Sequence, residues 1–68
     1  MEEKKISALK RERLLRGIQQ KDLSFKTRIS ASSISNFEAG RWYPNERDRK
    51  LLAEALGVPV KKIFPKDK

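Results

Sequence analysis

Apolar positions recur along the chain with helical spacing, in short runs separated by clear punctuation. Ile6, Leu9 and Arg13 fall on one stripe at i, i+3 and i+7, and Gly17 sits where a helix C′ residue is expected. Leu15 points away from that stripe. A second, short helix is expected from about Gln20 to Thr27, with Leu23, Ser24 and Thr27 on its inner side. Arg28, Ile29 and Ser30 make a tight connection, and Ser30 is a good N-cap for a third helix, roughly Ala31 to Ala39. Ile34, Phe37 and Glu38 take its inner face, Ser32, Ser35 and Asn36 its outer face, and Gly40 stops it. After a loop at Arg41-Trp42-Tyr43-Pro44, Asn45 with Asp48 three residues later reads as a capping-box variant. It opens a fourth helix running through Leu56, apolar on one side at Leu52, Ala55 and Leu56 and closed by Gly57. Val58, Val60, Ile63 and Phe64 follow as a last helical turn or a short fifth helix. No segment alternates with period two over a useful length, so no strand is expected. The prediction is a compact all-α fold of four or five short helices in a single domain over residues 1–68. Its core spans about 6–64, and the charge-rich ends 1–5 and 66–68 are expected to fray.

Composition narrows what such a bundle can do. At 68 residues the chain is one small domain at most, and with 37% apolar residues it needs efficient packing to be stable. Helices with one apolar stripe each supply that, leaving the 38% charged residues on the outward faces. Cys and His are both absent. That removes disulfides, thiolate metal sites, the commonest general base and the best neutral-pH nucleophile. The carboxylates lie scattered among basic residues, so no catalytic or metal-binding set is expected, no cofactor, and no small-molecule substrate. The longest apolar stretches are pairs and triples such as Val58-Pro59-Val60, far short of the ~20 residues of a membrane span, so a cytoplasmic protein is expected. The 17 Lys and Arg against 9 Asp and Glu leave a formal charge of +8, which makes a polyanion the default partner.

Two short helices with a tight connection, the second small and polar on its exposed side, describe a helix-turn-helix. A helix enters the DNA major groove only if its outward side chains are short, and Ser and Asn donate and accept hydrogen bonds at base edges. Ala31, Ser32, Ser35 and Asn36 meet that demand. Taken alone, the same face also fits a merely solvated helix.

The run Gly17-Ile18-Gln19-Gln20-Lys21-Asp22-Leu23-Ser24, then Ile29 to Arg41 with Pro44, resembles the lambdoid phage repressor and Cro family. Bacterial regulators of the xenobiotic-response-element type use the same module. The resemblance covers about residues 6–64, with Gln20, Leu23, Ile34, Ser35, Glu38, Gly40, Pro44 and the 53–58 segment in register. It implies a five-helix domain that binds double-stranded operator DNA as a homodimer, with the third helix in the major groove. Gln20 would contact the phosphate backbone and brace the recognition helix. Ala31, Ser32, Ser35 and Asn36 would face bases or nearby phosphates, and the loop from Gly40 to Tyr43 would lie against the backbone. The chain departs from the family pattern at several positions. Ser24 replaces a small apolar residue, Arg28 the glycine of the turn, Glu46 and Arg49 apolar residues, and Pro59 a Ser-like cap.

Arg13 and Glu38 both lie on inward faces, where unpaired charge is costly, so they are expected to pair, as the family's Arg–Glu pair implies. Lys21, Lys26, Arg28 and Arg41 are either phosphate contacts or a solubilising surface. Trp42 and Tyr43 either cover the core where Glu46 and Arg49 cannot, or one of them lies against the DNA backbone. Phe25 projects from the outer side of the second helix and either packs under a Lys stem or marks a partner surface. Ile63 and Phe64 either complete the core or form a dimer seam. The expected function is a sequence-specific transcriptional repressor acting by operator occupancy. The alternatives are a protein-interaction module such as the antitoxin of a toxin–antitoxin pair, and charge-driven binding to RNA or acidic membrane.

Overall fold

A computed structural model describes residues 6–65, which form five α-helices: α1 (Ala8–Leu15), α2 (Gln20–Thr27), α3 (Ala31–Ala39), α4 (Glu46–Leu56) and α5 (Val60–Ile63). No strand occurs among the described residues. The expected fraying at 1–5 and 66–68 falls outside them.

Side-chain caps set most of the helix starts. Ser7 Oγ accepts the Lys10 N–H at 3.1 Å, Ser30 Oγ the Ser33 N–H at 3.1 Å, and Asn45 Oδ1 the Asp48 N–H at 2.8 Å. Asn45 caps α4 through this one bond; the Asp48 carboxylate does not reach back to complete the box. Before α2 the carboxylate of Asp22 accepts the Gln19 N–H at 3.3 Å. Pro59 leaves α5 without a side-chain cap, and its carbonyl accepts the Lys62 N–H at 3.0 Å instead.

Leu9, Leu23, Ile34 and Leu52 are the innermost side chains, one from each of the first four helices. Ile29, Phe37, Ala53, Leu56, Ile63 and Phe64 complete the core around them. Two expectations need correction. Ile6 is 48% exposed, because it precedes the cap at Ser7 and the helical spacing does not yet apply to it. In α4 Ala53 is fully buried and Ala55 only partly so, because the buried stripe runs through Leu52, Ala53 and Leu56. Ile63 and Phe64 belong to the chain's own core, at 3% and 7% exposure, which leaves them little surface for a second copy.

One charged cluster lies within this small core and a second at its edge. Arg13 of α1 meets Glu38 of α3 in a bidentate pair, Nε to Oε2 at 2.6 Å and Nη2 to Oε1 at 3.1 Å. Its remaining Nη1 donates to the Ile18 carbonyl in the α1–α2 loop at 2.8 Å, and Gln20 Nε2 donates to Glu38 Oε1 at 2.9 Å. Glu12, also buried, accepts from Arg16 Nη1 at 2.7 Å, with Arg11 Nε 3.6 Å away. The Arg16 hydrogen bond holds the Glu12 carboxyl below its ordinary 4.5, against the opposing effect of burial, with Lys62 of α5 adding to the lowering.

Glu38→Ala strands the Arg13 guanidinium and should cost about 3–5 kcal/mol, a large share of the ~3–10 kcal/mol expected for a chain of this length. Urea titration checks this; an unchanged midpoint contradicts it. Because the folded Glu12 lies below its unfolded value, its contribution is present above pH 4.5 and is lost as pH falls through the lower folded value. Glu12→Gln should therefore flatten the stability profile below pH 4.5, read from melting temperature against pH.

Candidate nucleic-acid interface

The α2–α3 unit is held by a turn in which Thr27 is the pivot. Its Oγ1 donates to the Leu23 carbonyl at 2.8 Å and accepts the Ile29 N–H at 3.2 Å, satisfying buried backbone on both sides of the connection. Arg28 between them adopts the left-handed conformation, φ 66° and ψ 17°, and its N–H closes α2 on the Ser24 carbonyl at 2.7 Å. It is the single non-glycine with positive φ among the described residues. Ser24, expected on the inner side of α2, is half-buried.

Burying Ile34, Phe37 and Glu38 turns the opposite side of α3 outward. Ser32 and Ser35 are exposed on it, while Ala31 and Asn36 are half-buried at its margins. None of these four is charged. The cations flank them instead: Lys21, Lys26 and Arg28 are exposed along α2 and the turn, and Arg41 is exposed just beyond the α3 C-terminus. Arg41 is brought there by Gly40, whose φ of 80° reverses the chain, and by its own N–H, which bonds the Asn36 carbonyl at 3.0 Å. Gln20, at the first position of α2, directs its amide at Glu38 and so ties the α2 N-terminus to the inner face of α3.

The loop aromatics cover the core and remain about half exposed, Trp42 at 53% and Tyr43 at 50%. Trp42 meets Phe37 edge-on at 6.4 Å, and Tyr43 meets Phe64 edge-on at 5.5 Å. Arg49 lies over the Tyr43 ring at 5.3 Å and donates to the Pro44 carbonyl at 2.9 Å, so this departure from an apolar residue pins the loop, although its Nε is buried without a partner. Glu46 stays exposed and pairs with Lys50 at 3.6 Å. Phe25 is 85% exposed and covered by no Lys stem.

The structure thus brings Gln20, Arg13 and Glu38 together inside, joins Arg41 to Asn36, and leaves Ser32, Ser35, Lys21, Arg28 and Arg41 exposed with Ala31 and Asn36 half-buried. Tyr43 lies on the loop, packed against Phe64, and Ile63 and Phe64 lie inside the core. Sequence reasoning missed the Ile18 carbonyl as a third anchor for Arg13, the stacking of Arg49 on Tyr43, and the contact of Arg41 with Asn36. A backbone carbonyl leaves no side-chain signal, and the last two depend on how the 40–44 loop folds back.

The surface offers hydrogen-bonding groups, fixed positive charge and no set of nucleophile, base and acid. Among the described residues no group of His, Cys, Asp and Glu could hold a metal ion, and no helix is long and apolar enough to cross a membrane. A family model described as helix-turn-helix matches residues 9–63, most of the chain. No individual curated protein and no solved structure matches it significantly.

The left-handed Arg28 carries a steric cost that glycine would not. Arg28→Gly should raise stability by up to about 1 kcal/mol, or about 4–8 °C in melting temperature for a domain of this size. A lower melting temperature would show that the Arg28 side chain makes a stabilising contact that outweighs the strain.

Proposed function

Because the chain belongs to the Cro- and repressor-type helix-turn-helix family of DNA-binding regulators, we propose that it is a sequence-specific transcriptional repressor. In this reading it occupies a palindromic operator as a homodimer, with α3 in the major groove. The observation that carries the reading is the contrast between an uncharged outer face of α3 and the exposed cations of the α2 helix, the turn and the loop that adjoin it in the chain. Short hydroxyl and amide side chains at Ser32, Ser35 and Asn36 allow close approach and read base edges, and the Ala31 methyl suits a thymine methyl. Lys21, Lys26, Arg28 and Arg41 neutralise phosphates, and the N–H of Gln20 not given to Glu38 is free for a further phosphate oxygen. Tyr43 presents its hydroxyl to the backbone while its ring stays on Phe64. Repression then needs no chemistry: occupancy of the operator excludes other proteins from it.

Two-fold symmetry follows from the operator rather than from a seam at Ile63 and Phe64, whose surface is spent within the protomer. The dimer contact uses the exposed rim beside them, where Trp42 lies. The exposure of Phe25, at 85%, favours a second reading as a protein-interaction module with DNA binding secondary. Phe25→Ser separates the two: regulation in cells is unchanged in the repressor reading and is lost if Phe25 holds a protein partner.

Selection of bound sequences from a random DNA pool at physiological salt should return a palindromic consensus with half-sites about one DNA turn apart. An unenriched pool contradicts the proposal. On that consensus Ser32→Ala and Ser35→Ala should each cost about 0.5–1.5 kcal/mol, confined to particular base pairs. Lys21→Met and Lys26→Met should instead weaken all sequences alike, each lowering the slope of log K against log salt by about 0.9.

A further inference from the structure

Asn36 is the one carboxamide on α3, and its two ends are held by groups of opposite character. Nδ2 donates to the Ser32 carbonyl one turn back, at 3.0 Å. Oδ1 accepts from Arg41 Nη1 at 3.2 Å. Arg41 is also bound to the same residue through the main chain, its N–H and that of Trp42 reaching the Asn36 carbonyl at 3.0 and 3.4 Å. The loop beyond Gly40 is therefore moored on Asn36, and its first side chain folds back onto the Asn36 amide.

This arrangement admits one orientation of the amide. A carbonyl only accepts and a guanidinium only donates, so turning the amide over would set N–H against N–H and oxygen against oxygen, losing both bonds. A carboxamide has two N–H donors and two acceptor lone pairs. With one of each engaged inside the protein, one donor and one acceptor remain, and that is the complement of the N7 acceptor and N6 donor that adenine presents in the major groove.

We propose that Arg41 is a positioning residue for base reading: it fixes the Asn36 amide so that its free donor and acceptor meet an adenine, making one base position of the bound sequence depend on both residues. This rests on the DNA-reading function proposed above and changes what Arg41 does within it. A guanidinium acting only as a phosphate clamp would add affinity for every sequence; Arg41 adds preference at one position, and its other N–H groups remain for phosphate.

The test uses the full chain and its selected consensus, measuring affinity for that DNA and for every single-base variant of it at fixed salt. The proteins are wild type, Asn36→Ala, Arg41→Met, the double variant, and Lys21→Met as a control for loss of one charge, each checked for native helicity by circular dichroism. Asn36→Ala should erase the adenine preference at one position per half-site, a loss of about fivefold or more in discrimination. Arg41→Met should reduce discrimination at that same position, and the double variant should show no greater loss there than Asn36→Ala alone. Lys21→Met should lower all affinities in parallel. The proposal is overturned if Arg41→Met behaves like Lys21→Met, or if its loss falls at a different base position. A wild-type chain that prefers no sequence would overturn the repressor reading as well, and that failure is distinguishable because it is already present before any substitution.

Discussion

The Arg13–Glu38 pair is the constraint on which the rest of this structure depends. Taking two charges out of water costs several kcal/mol per ion, and an apolar pair of similar volume would often be no less stable. The pair is tolerable because it is well satisfied. The Glu38 carboxylate accepts two N–H groups from Arg13 and one from Gln20, and the guanidinium spends its remaining end on the Ile18 carbonyl. Four segments meet at this point: α1, the α1–α2 loop, the start of α2 and the C-terminal half of α3. Apolar contacts at Ile34 and Phe37 hold α3 down without directional preference, whereas a bidentate carboxylate fixes its roll. With the roll fixed, Ser32, Ser35 and Asn36 point outward together.

A division of labour between charge and shape follows. The outward face of α3 is uncharged, while lysines and arginines sit on the neighbouring helix, turn and loop. Long cationic side chains on α3 itself would hold its backbone away from anything it approached. Placed to either side, they attract a polyanion and let the short side chains come close. The left-handed Arg28 fits this pattern: a position where glycine is sterically preferred instead carries a cation at the turn between the two helices.

Helix boundaries were legible because local chemistry sets them. Ser30, Asn45, Gly40 and Gly57 mark ends that the structure places where their capping and left-handed preferences require. Residues whose environment depends on distant parts of the chain were less readable. Ile6 has the right spacing for the core but lies before the cap, and Ala53 exchanges burial with Ala55 because the roll of α4 depends on α2 and α5. Glu12 carries no signal of burial in the sequence, yet it is buried and compensated by Arg16. The types of residue on the candidate interface could be read from α3 alone. Its internal bonding could not, because Arg41 reaches Asn36 only after the chain has reversed at Gly40.

By fixing the roll of α3, the buried charge cluster orients that helix rather than merely stabilising it. The most direct test replaces Arg13 by Met and Glu38 by Leu together, so that neither charge is left unpaired, and compares unfolding in urea with affinity for the selected DNA. Orientation by the pair predicts a cooperatively folded protein of comparable stability whose affinity falls at least about tenfold, equivalent to about 1.4 kcal/mol. A folded double variant that binds the same sequence with unchanged affinity would contradict it.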